Sequence, residues 1–171
     1  MRRFIFATIA CGLAVAQAAA QPPSLADLPT ALKPAGLSVY LEVPATGVQI
    51  YTCAKNDAGA AAWAFKAPEA TLFDTAKQQI GKHYAGPTWE ALAGGKVVGA
   101  VKGNAPAPEA GAIPWLLLDI KSSEGAGVFN QAKGILRVST HGGVAPAQGC
   151  DAAHAGQEAR VPYTATYLFL K

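Results

Sequence analysis

The chain has 171 residues, of which 51% are hydrophobic, 15% charged and 8% aromatic. This composition indicates a single globular domain and excludes a disordered chain, which would hold fewer apolar and more charged residues. The formal net charge is +3, and two of the 14 basic residues, Arg2 and Arg3, lie at the extreme N-terminus. Without them 12 basic residues (14 − 2) face 11 acidic ones, which excludes a basic surface for nucleic acid.

The first 20 residues have the pattern of a secretory signal peptide. A cationic start precedes an apolar stretch over 4–16, and Ala18-Ala19-Ala20 offers the small residues that a signal peptidase recognises. The stretch is too short to cross a bilayer as a helix, and no later segment approaches the roughly 18 apolar residues that a span requires. We therefore predict export to the periplasm or the cell exterior, and no transmembrane segment.

Two cysteines, Cys53 and Cys150, lie beyond the predicted leader. In an oxidising compartment they have one possible intramolecular pairing, and the chain has no Cys-x-x-Cys spacing typical of redox or metal chemistry. We predict a structural disulfide between them. It would close a loop of about 100 residues and stabilise the fold by on the order of 4–5 kcal/mol.

Strand patterns begin after a segment rich in Pro and Ala. We predict that residues 21–36 pack loosely on one β-domain over 37–171. Alternating β-branched and aromatic residues predict two strands, over 37–43 and 47–53, joined by a turn, and a third strand over 61–67.

The middle of the chain combines a hairpin with two weak helical signals. Residues 87–101 predict a hairpin that turns at a Gly-Gly dipeptide. Short turns of helix are predicted over 70–81 and 127–133. The continuously apolar run over 113–120 predicts a central strand that is buried on both faces.

Two further strand patterns complete the chain, over 134–140 and 161–171. In the last one Tyr163, Tyr167 and Phe169 share one face, which is typical of a half-buried antiparallel strand. About eight short strands with Gly- and Pro-rich turns predict an all-β domain. The pattern leaves two architectures open, an antiparallel β-sandwich and a closed β-barrel.

Six segments, in this order and spacing, carry a resemblance to a known family. They are GVQIYTC (47–53), WAFKAPEATLF (63–73), GKHYAGPTWEALAGGKVVG (81–99), AIPWLLLDIKS (112–122), ILRVSTHGGVAPAQGC (135–150) and VPYTATYLFL (161–170). Together they resemble the uncharacterised secreted family catalogued as domain of unknown function 3455. The resemblance implies an extracytoplasmic all-β domain with no established activity.

Some fungal members of that family carry a malate dehydrogenase label, which these residues do not support. A dinucleotide fold needs Gly-x-Gly-x-x-Gly between a strand and a helix. The nearest cluster, Gly125-Ala126-Gly127, lacks the third glycine and precedes no long helical pattern. Ala93 and Gly94 also stand where members usually have Asp and Gly, which weakens any role for a carboxylate in that turn. We predict no cofactor.

Four residues beside the Gly86-Pro87 turn form the first candidate binding site, namely His83, Tyr84, Trp89 and Glu90. An imidazole, a phenol, an indole and a carboxylate this close in sequence can line one rim of a pocket. The structural alternative is favoured: the turn sets the bend, Trp89 packs in the core and His83 satisfies a loop.

Arg137 and His141 form the second candidate. His141 opens a His-Gly-Gly sequence, where glycines permit close approach of a ligand or, equally, a sharp turn at a strand end. Arg137 is expected to be a surface or ion-pairing residue rather than a clamp for an anion.

Metal and hydrolase sites are not predicted. His83, His141 and His154, even with Glu90, lack the short spacing that places two ligands on one element. The chain has no Gly-x-Ser-x-Gly motif, and its scattered acids nominate no catalytic pair.

We therefore predict an exported β-domain that binds a small molecule, a glycan or an envelope protein. Glycan binding would require Trp63 or Trp89 to be exposed, since buried aromatic residues simply belong to the core. One alternative is an enzyme, a hydrolase or isomerase, that uses His83, Glu90 and His141 from adjacent loops. It requires these three side chains to meet in one pocket. The other alternative is a structural component of the cell envelope.

Overall fold

The computed structural model describes residues 21–171, so the predicted signal peptide over 1–20 lies outside the described residues. Eight antiparallel strands form a closed barrel, in which each strand pairs with the next and the last pairs with the first. The strands are β1 Val39–Lys55, β2 Ala61–Phe73, β3 Gln79–Tyr84, β4 Thr88–Ala91, β5 Lys96–Ala105, β6 Trp115–Glu124, β7 Gly134–Gly142 and β8 Glu158–Leu170. The predicted all-β class is confirmed, and of the two architectures left open the chain forms the barrel.

The helical elements of the described residues are three turns of 3-10 helix. They span Leu25–Asp27, Thr30–Leu32 and Ala152–His154. The first two precede the barrel, and the third lies in the connection from β7 to β8.

β1 is one continuous strand where the sequence predicts two. Pro44 and Gly47 lie inside it, and the chain does not turn at them. Gly47 faces Ala70 of β2, and a Cβ atom at this glycine would collide with the backbone of Glu69 and Ala70. Gly47 therefore permits a close approach of β1 and β2, which is the other role of a glycine inside a strand.

Neither of the two predicted short helices forms. Residues 70–73 end β2, and a tight turn follows in which Asp74 accepts a hydrogen bond from the Gln78 N–H at 2.8 Å. Ala70 and Leu72 are both buried in the barrel interior, and burial at alternate positions overrides the weak helical pattern. Residues 127–131 form turns.

A second apolar core lies outside the barrel, under the N-terminal segment. Leu28 and Leu32 are 3% and 0% exposed and pack with Leu117 and Leu168. Leu28 and Leu32 therefore anchor the segment over 21–36 on the barrel, while its other residues are exposed or partly exposed. Leu117 faces this outer core while Leu118 faces the interior, so the prediction of a strand buried on both faces is confirmed for this part of β6.

The barrel wall is shorter on one side than elsewhere, because β3 has only six residues and β4 only four. β3 pairs with Ala70–Phe73 of β2, and β4 pairs with Lys96–Val98 of β5. The first half of β2 and the second half of β5 rise above the short hairpin that β3 and β4 form. We call the resulting opening the notch; it lies between Phe65 of β2, the turn over 85–87 and Val101 of β5.

A disulfide joins Cys53 of β1 to Cys150 in the connection to β8, with the two Cα atoms 5.3 Å apart. The predicted pairing is confirmed. No helix within residues 21–171 is long and apolar enough to cross a membrane.

Candidate functional site

A cavity of about 180 Å³ opens into the notch. Its floor consists of buried side chains from three strands, and its wall and rim are mainly apolar. The floor is His83, Trp89 and Tyr167; the wall is Leu116, Leu118 and Arg137; the rim is Phe65, Lys66, Pro68, Ala85, Gly86, Pro87 and Val101. Phe65 and Val101 are 56% and 57% exposed, so the mouth presents apolar surface to solvent.

His83 is buried on the cavity floor in its neutral form. Its Nδ1 lies 2.8 Å from the Thr88 carbonyl oxygen, and a carbonyl can only accept, so Nδ1 carries the proton and Nε2 is an acceptor. Burial lowers the pKa of His83 to about 3; the hydrogen bond to Thr88 raises it, and the charge of Arg137 lowers it further. At neutral pH the imidazole contributes no charge to the cavity.

Trp89 and Tyr167 pack against this imidazole. Pairing of β3 with β4 sets His83 opposite Trp89, and the two rings stack with their centroids 4.4 Å apart. Tyr167 meets the indole edge-on at 5.3 Å. The indole N–H of Trp89 is buried and has no acceptor within the described residues, and such an unpaired donor costs roughly 1–3 kcal/mol.

Arg137 brings a positive charge to the cavity wall. Its neighbours Leu136 and Val138 face the outer core, so alternation along β7 turns Arg137 inward. Its Nε and Nη2 donate to the Pro114 carbonyl oxygen at 3.1 and 2.8 Å. Pro114 precedes β6, and these two bonds fix the plane of the guanidinium group.

The charge of Arg137 has no acidic partner among residues 21–171. None of the ion pairs formed by these residues includes it, and the residues that line the cavity include no Asp or Glu. Lys66, the other cation at the cavity, pairs with Glu158. Arg137 was expected to be a surface or ion-pairing residue; it forms no ion pair within the described residues, and it is only partly exposed.

A pair of buried phenols extends the polar floor along β8. The hydroxyl oxygens of Tyr163 and Tyr167 lie 3.2 Å apart. Burial raises the pKa of both phenols, while the positive charge of Arg137 acts in the opposite direction. Gln49 is also buried here, and its side chain lies close enough to the Tyr163 hydroxyl to lower the pKa of that phenol.

Tyr84 and Glu90 lie on the outer face of the barrel. The Tyr84 hydroxyl donates to Glu90 Oε2 at 2.6 Å, and Lys82 pairs with the same oxygen at 3.4 Å. The hydrogen bond from Tyr84 is the main cause that lowers the pKa of the Glu90 carboxyl. Because side chains alternate along β4, Glu90 points away from the interior that holds Trp89.

His141 is exposed near the end of β7, where its Nδ1 contacts a carboxylate oxygen of Glu109. His83 therefore lies inside the barrel, Glu90 lies on its outer face, and His141 is exposed to solvent. The three side chains do not meet in one pocket. The structure does not support the catalytic alternative that uses all three. Residues 21–171 also contain no group of three side chains placed to hold a metal ion.

The three tryptophans form no common platform. Trp89 is 1% exposed. Trp63 lies near the disulfide and donates through Nε1 to the Gln148 carbonyl oxygen at 2.9 Å. Trp115 packs against the outer core.

Sequence analysis did not identify Phe65, Val101, Leu116 and Tyr167 as cavity residues. The alternation along β8 places Tyr167 in the interior. No signal in the sequence shows that β3 and β4 are short enough to expose that part of the interior to solvent.

By its fold the protein is a closed, eight-stranded antiparallel β-barrel, and its cavity opens where the short strands β3 and β4 lie. Residues 34–171 match the model of a family described as a protein of unknown function (DUF3455). The chain belongs to this family, so the resemblance seen in the sequence is confirmed. Comparison with curated proteins gives no match, and comparison with solved structures gives none either.

Proposed function

We propose that this protein binds a small molecule in the cavity at the notch. The observation that carries the proposal is a cavity with mainly apolar walls into which a few polar groups converge, an arrangement typical of ligand sites. The cavity has a volume of about 180 Å³. A buried apolar cavity of about 150 Å³ is known to hold benzene, so the ligand is about one ring in size.

The polar groups on the floor and wall of the cavity favour a binding role over a purely structural one. Trp89 keeps a buried N–H without an acceptor, and Arg137 keeps a charge without a carboxylate. Both arrangements are unfavourable in the free protein because desolvated polar groups need partners. A ligand that pairs with Arg137 removes the cost of its missing counter-charge, and a barrel selected for stability alone would have an apolar side chain at that position.

The same groups favour binding over catalysis. A general base needs a second group that orients it and a nucleophile within hydrogen-bond reach. His83 has the Thr88 carbonyl as its partner, and the carboxylates at the candidate positions lie outside the cavity.

We also infer that the protein is exported. The N-terminal sequence pattern and the disulfide support this inference together, since disulfides persist in oxidising compartments. The ligand would then be met in the periplasm or outside the cell.

The indole N–H signals of the three tryptophans test the binding proposal by NMR. Single-ring compounds added to the purified protein are expected to shift the Trp89 indole signal and to leave the Trp63 signal in place. The variant Val101→Trp covers the mouth and is expected to abolish the shift. Val39→Trp is the matched control, because Val39 is also an exposed strand valine, 40% exposed, and does not line the cavity.

Two results would contradict the proposal. The first is that no single-ring compound of a tested library shifts the Trp89 indole signal at millimolar concentration. The other is a shift that persists in Val101→Trp, which would place the ligand elsewhere.

A further inference from the structure

The charged residues around the cavity are all positive. Arg137 and Lys66 are the charged residues that line it. Lys66 is held by Glu158, and His83 is neutral at neutral pH because burial lowers its pKa to about 3. The cavity therefore offers one uncompensated positive charge to a ligand.

The guanidinium of Arg137 is oriented before any ligand arrives. Arginine carries five N–H donors, and two of them are used by the Pro114 carbonyl oxygen. Of the remaining three (5 − 2), one lies close enough to the Tyr167 hydroxyl to lower the pKa of that phenol, and none pairs with a carboxylate of the described residues. A planar guanidinium with free donors matches the two oxygens of a carboxylate, which it can bind in a bidentate manner.

We propose that the ligand is a small organic carboxylate whose acid group pairs with Arg137 and whose apolar body lies against Trp89 and Leu116. This inference rests on the binding function proposed above and names the chemical class of the ligand. The apolar rim residues Phe65 and Val101 extend the same surface to the mouth.

The cavity fits a monoanion better than a phosphate or a sugar. A phosphate carries close to two charges at neutral pH, and here a single guanidinium is free. A sugar needs several hydrogen-bonding partners for its hydroxyl groups, and most of the lining is apolar. A sugar would also leave the charge of Arg137 without a counter-charge.

Benzoate and benzamide test the inference, because they have the same shape and differ in charge. Both are titrated into the purified protein, with the Trp89 indole signal as the readout. Benzoate is expected to bind at least about tenfold more tightly than benzamide, since hydrogen bonds to charged groups are the stronger ones. In Arg137→Gln that ratio is expected to fall to about one, and Arg137→Lys is expected to keep a preference for benzoate.

A surface arginine supplies the matched control. Arg160 pairs with Glu69 on the outside of the barrel and does not line the cavity. Arg160→Gln removes the same charge from the protein and is expected to leave the benzoate-to-benzamide ratio unchanged. A fall in the ratio in this variant would mean that overall charge attracts benzoate, and the inference would be wrong.

The outcomes separate the ligand class from the binding function itself. Equal affinity for benzoate and benzamide, or a preference for methyl glucoside over benzoate, would overturn the carboxylate and leave small-molecule binding in place. An unchanged benzoate preference in a folded Arg137→Gln variant would overturn the role of Arg137. Absence of a Trp89 shift with all three probes would count against both proposals.

Discussion

The barrel interior has two halves of different character. In the closed half Phe129 stacks on Phe169 with centroids 4.7 Å apart, and Val43 and Leu72 complete a core with no exposed surface. In the open half His83, Trp89, Arg137 and Tyr167 surround a cavity. Within the described residues the Trp89 indole N–H has no acceptor and Arg137 has no acidic partner. The closed half stabilises the barrel, whereas the open half buries polar groups that lack these partners, which is unfavourable in the free protein.

The difference arises from how each end of the barrel is covered. Toward the closed half, the connection from β6 to β7 places Phe129 inside, where it packs against Gly81 and Phe169. Toward the open half, the hairpin of β3 and β4 ends early, and its turn over 85–87 lines the cavity.

The largest expected effect comes from the disulfide. The double variant Cys53→Ser with Cys150→Ser is expected to lower the free energy of unfolding by about 4.7 kcal/mol, because the bridge closes a loop of roughly 100 residues in the unfolded chain. Denaturant unfolding of the variant and the wild type measures the difference. The bridge restricts the unfolded chain as a whole, so the loss of stability should be the same whether unfolding is followed by a probe in the closed half or by one in the open half.

Reductant provides the control for this prediction. It should lower the stability of the wild type toward that of the double variant and leave the variant unchanged. A loss below about 1 kcal/mol would mean that the loop is already restricted in the unfolded chain, contrary to the chain-entropy account.

The next effect compares one side chain from each half. Phe169→Ala in the closed half is expected to cost about 3–5 kcal/mol, as for other fully buried aromatic residues. Leu116→Ala in the open half is expected to cost at least about 2 kcal/mol less, because Leu116 already borders empty space and is partly exposed. Chemical denaturation of both variants gives the comparison, and equal losses would show that the open half is as well packed as the closed one.

The sequence predicted most of the strands but not the short hairpin that opens the notch. Alternation along β8 correctly placed Tyr163, Tyr167 and Phe169 on one face, because an interior-facing side chain recurs at every second position. The break predicted in β1 was wrong, because Gly47 serves a close approach between strands. That purpose depends on Ala70, a residue that is distant in sequence.

The candidate site was partly predictable for the same reason. Local spacing selected His83 and Trp89, and both line the cavity. It also selected Tyr84 and Glu90, which alternation places on the outer face. Alternation along β7 turns Arg137 inward, but the hydrogen bonds that orient its guanidinium depend on Pro114, which is distant in sequence and which no local pattern identifies.

A smaller effect is expected from pH, through His83. Its pKa is lowered to about 3 in the folded protein, whereas an unfolded histidine titrates near pH 6.5. Below that value the unfolded chain binds a proton that the native protein does not, so stability falls as pH falls. Between pH 6.5 and 5 the wild type is expected to lose on the order of 2 kcal/mol, at about 1.4 kcal/mol per pH unit.

The variant His83→Gln tests this assignment by unfolding at several pH values. Glutamine cannot be protonated in this range, so the variant is expected to lose the dependence of stability on pH. The variant His141→Gln, at an exposed histidine, is expected to keep it.

Arg137 and Tyr167 face His83 across the cavity, and neither changes charge in this range. An arginine stays protonated, and burial raises the pKa of Tyr167. The carboxyls of Glu90 and Asp151 have lowered pKa values, so they titrate below the window. An unchanged slope in His83→Gln would assign the pH dependence to another group.

The smallest expected effect on stability is also the one that best separates the two halves. Arg137→Gln loses two hydrogen bonds to Pro114, which are worth about 1.5–3 kcal/mol each because the donor is charged. It also removes the desolvation cost of a half-buried charge that has no counter-charge, which is of similar size. These two changes oppose each other, so the free energy of unfolding should move by less than about 1 kcal/mol in either direction. Thermal unfolding without ligand measures this, and with benzoate present the wild type alone should gain stability. A loss comparable to that of Phe169→Ala would mean that Arg137 holds the barrel together, and the functional division between the halves would be wrong.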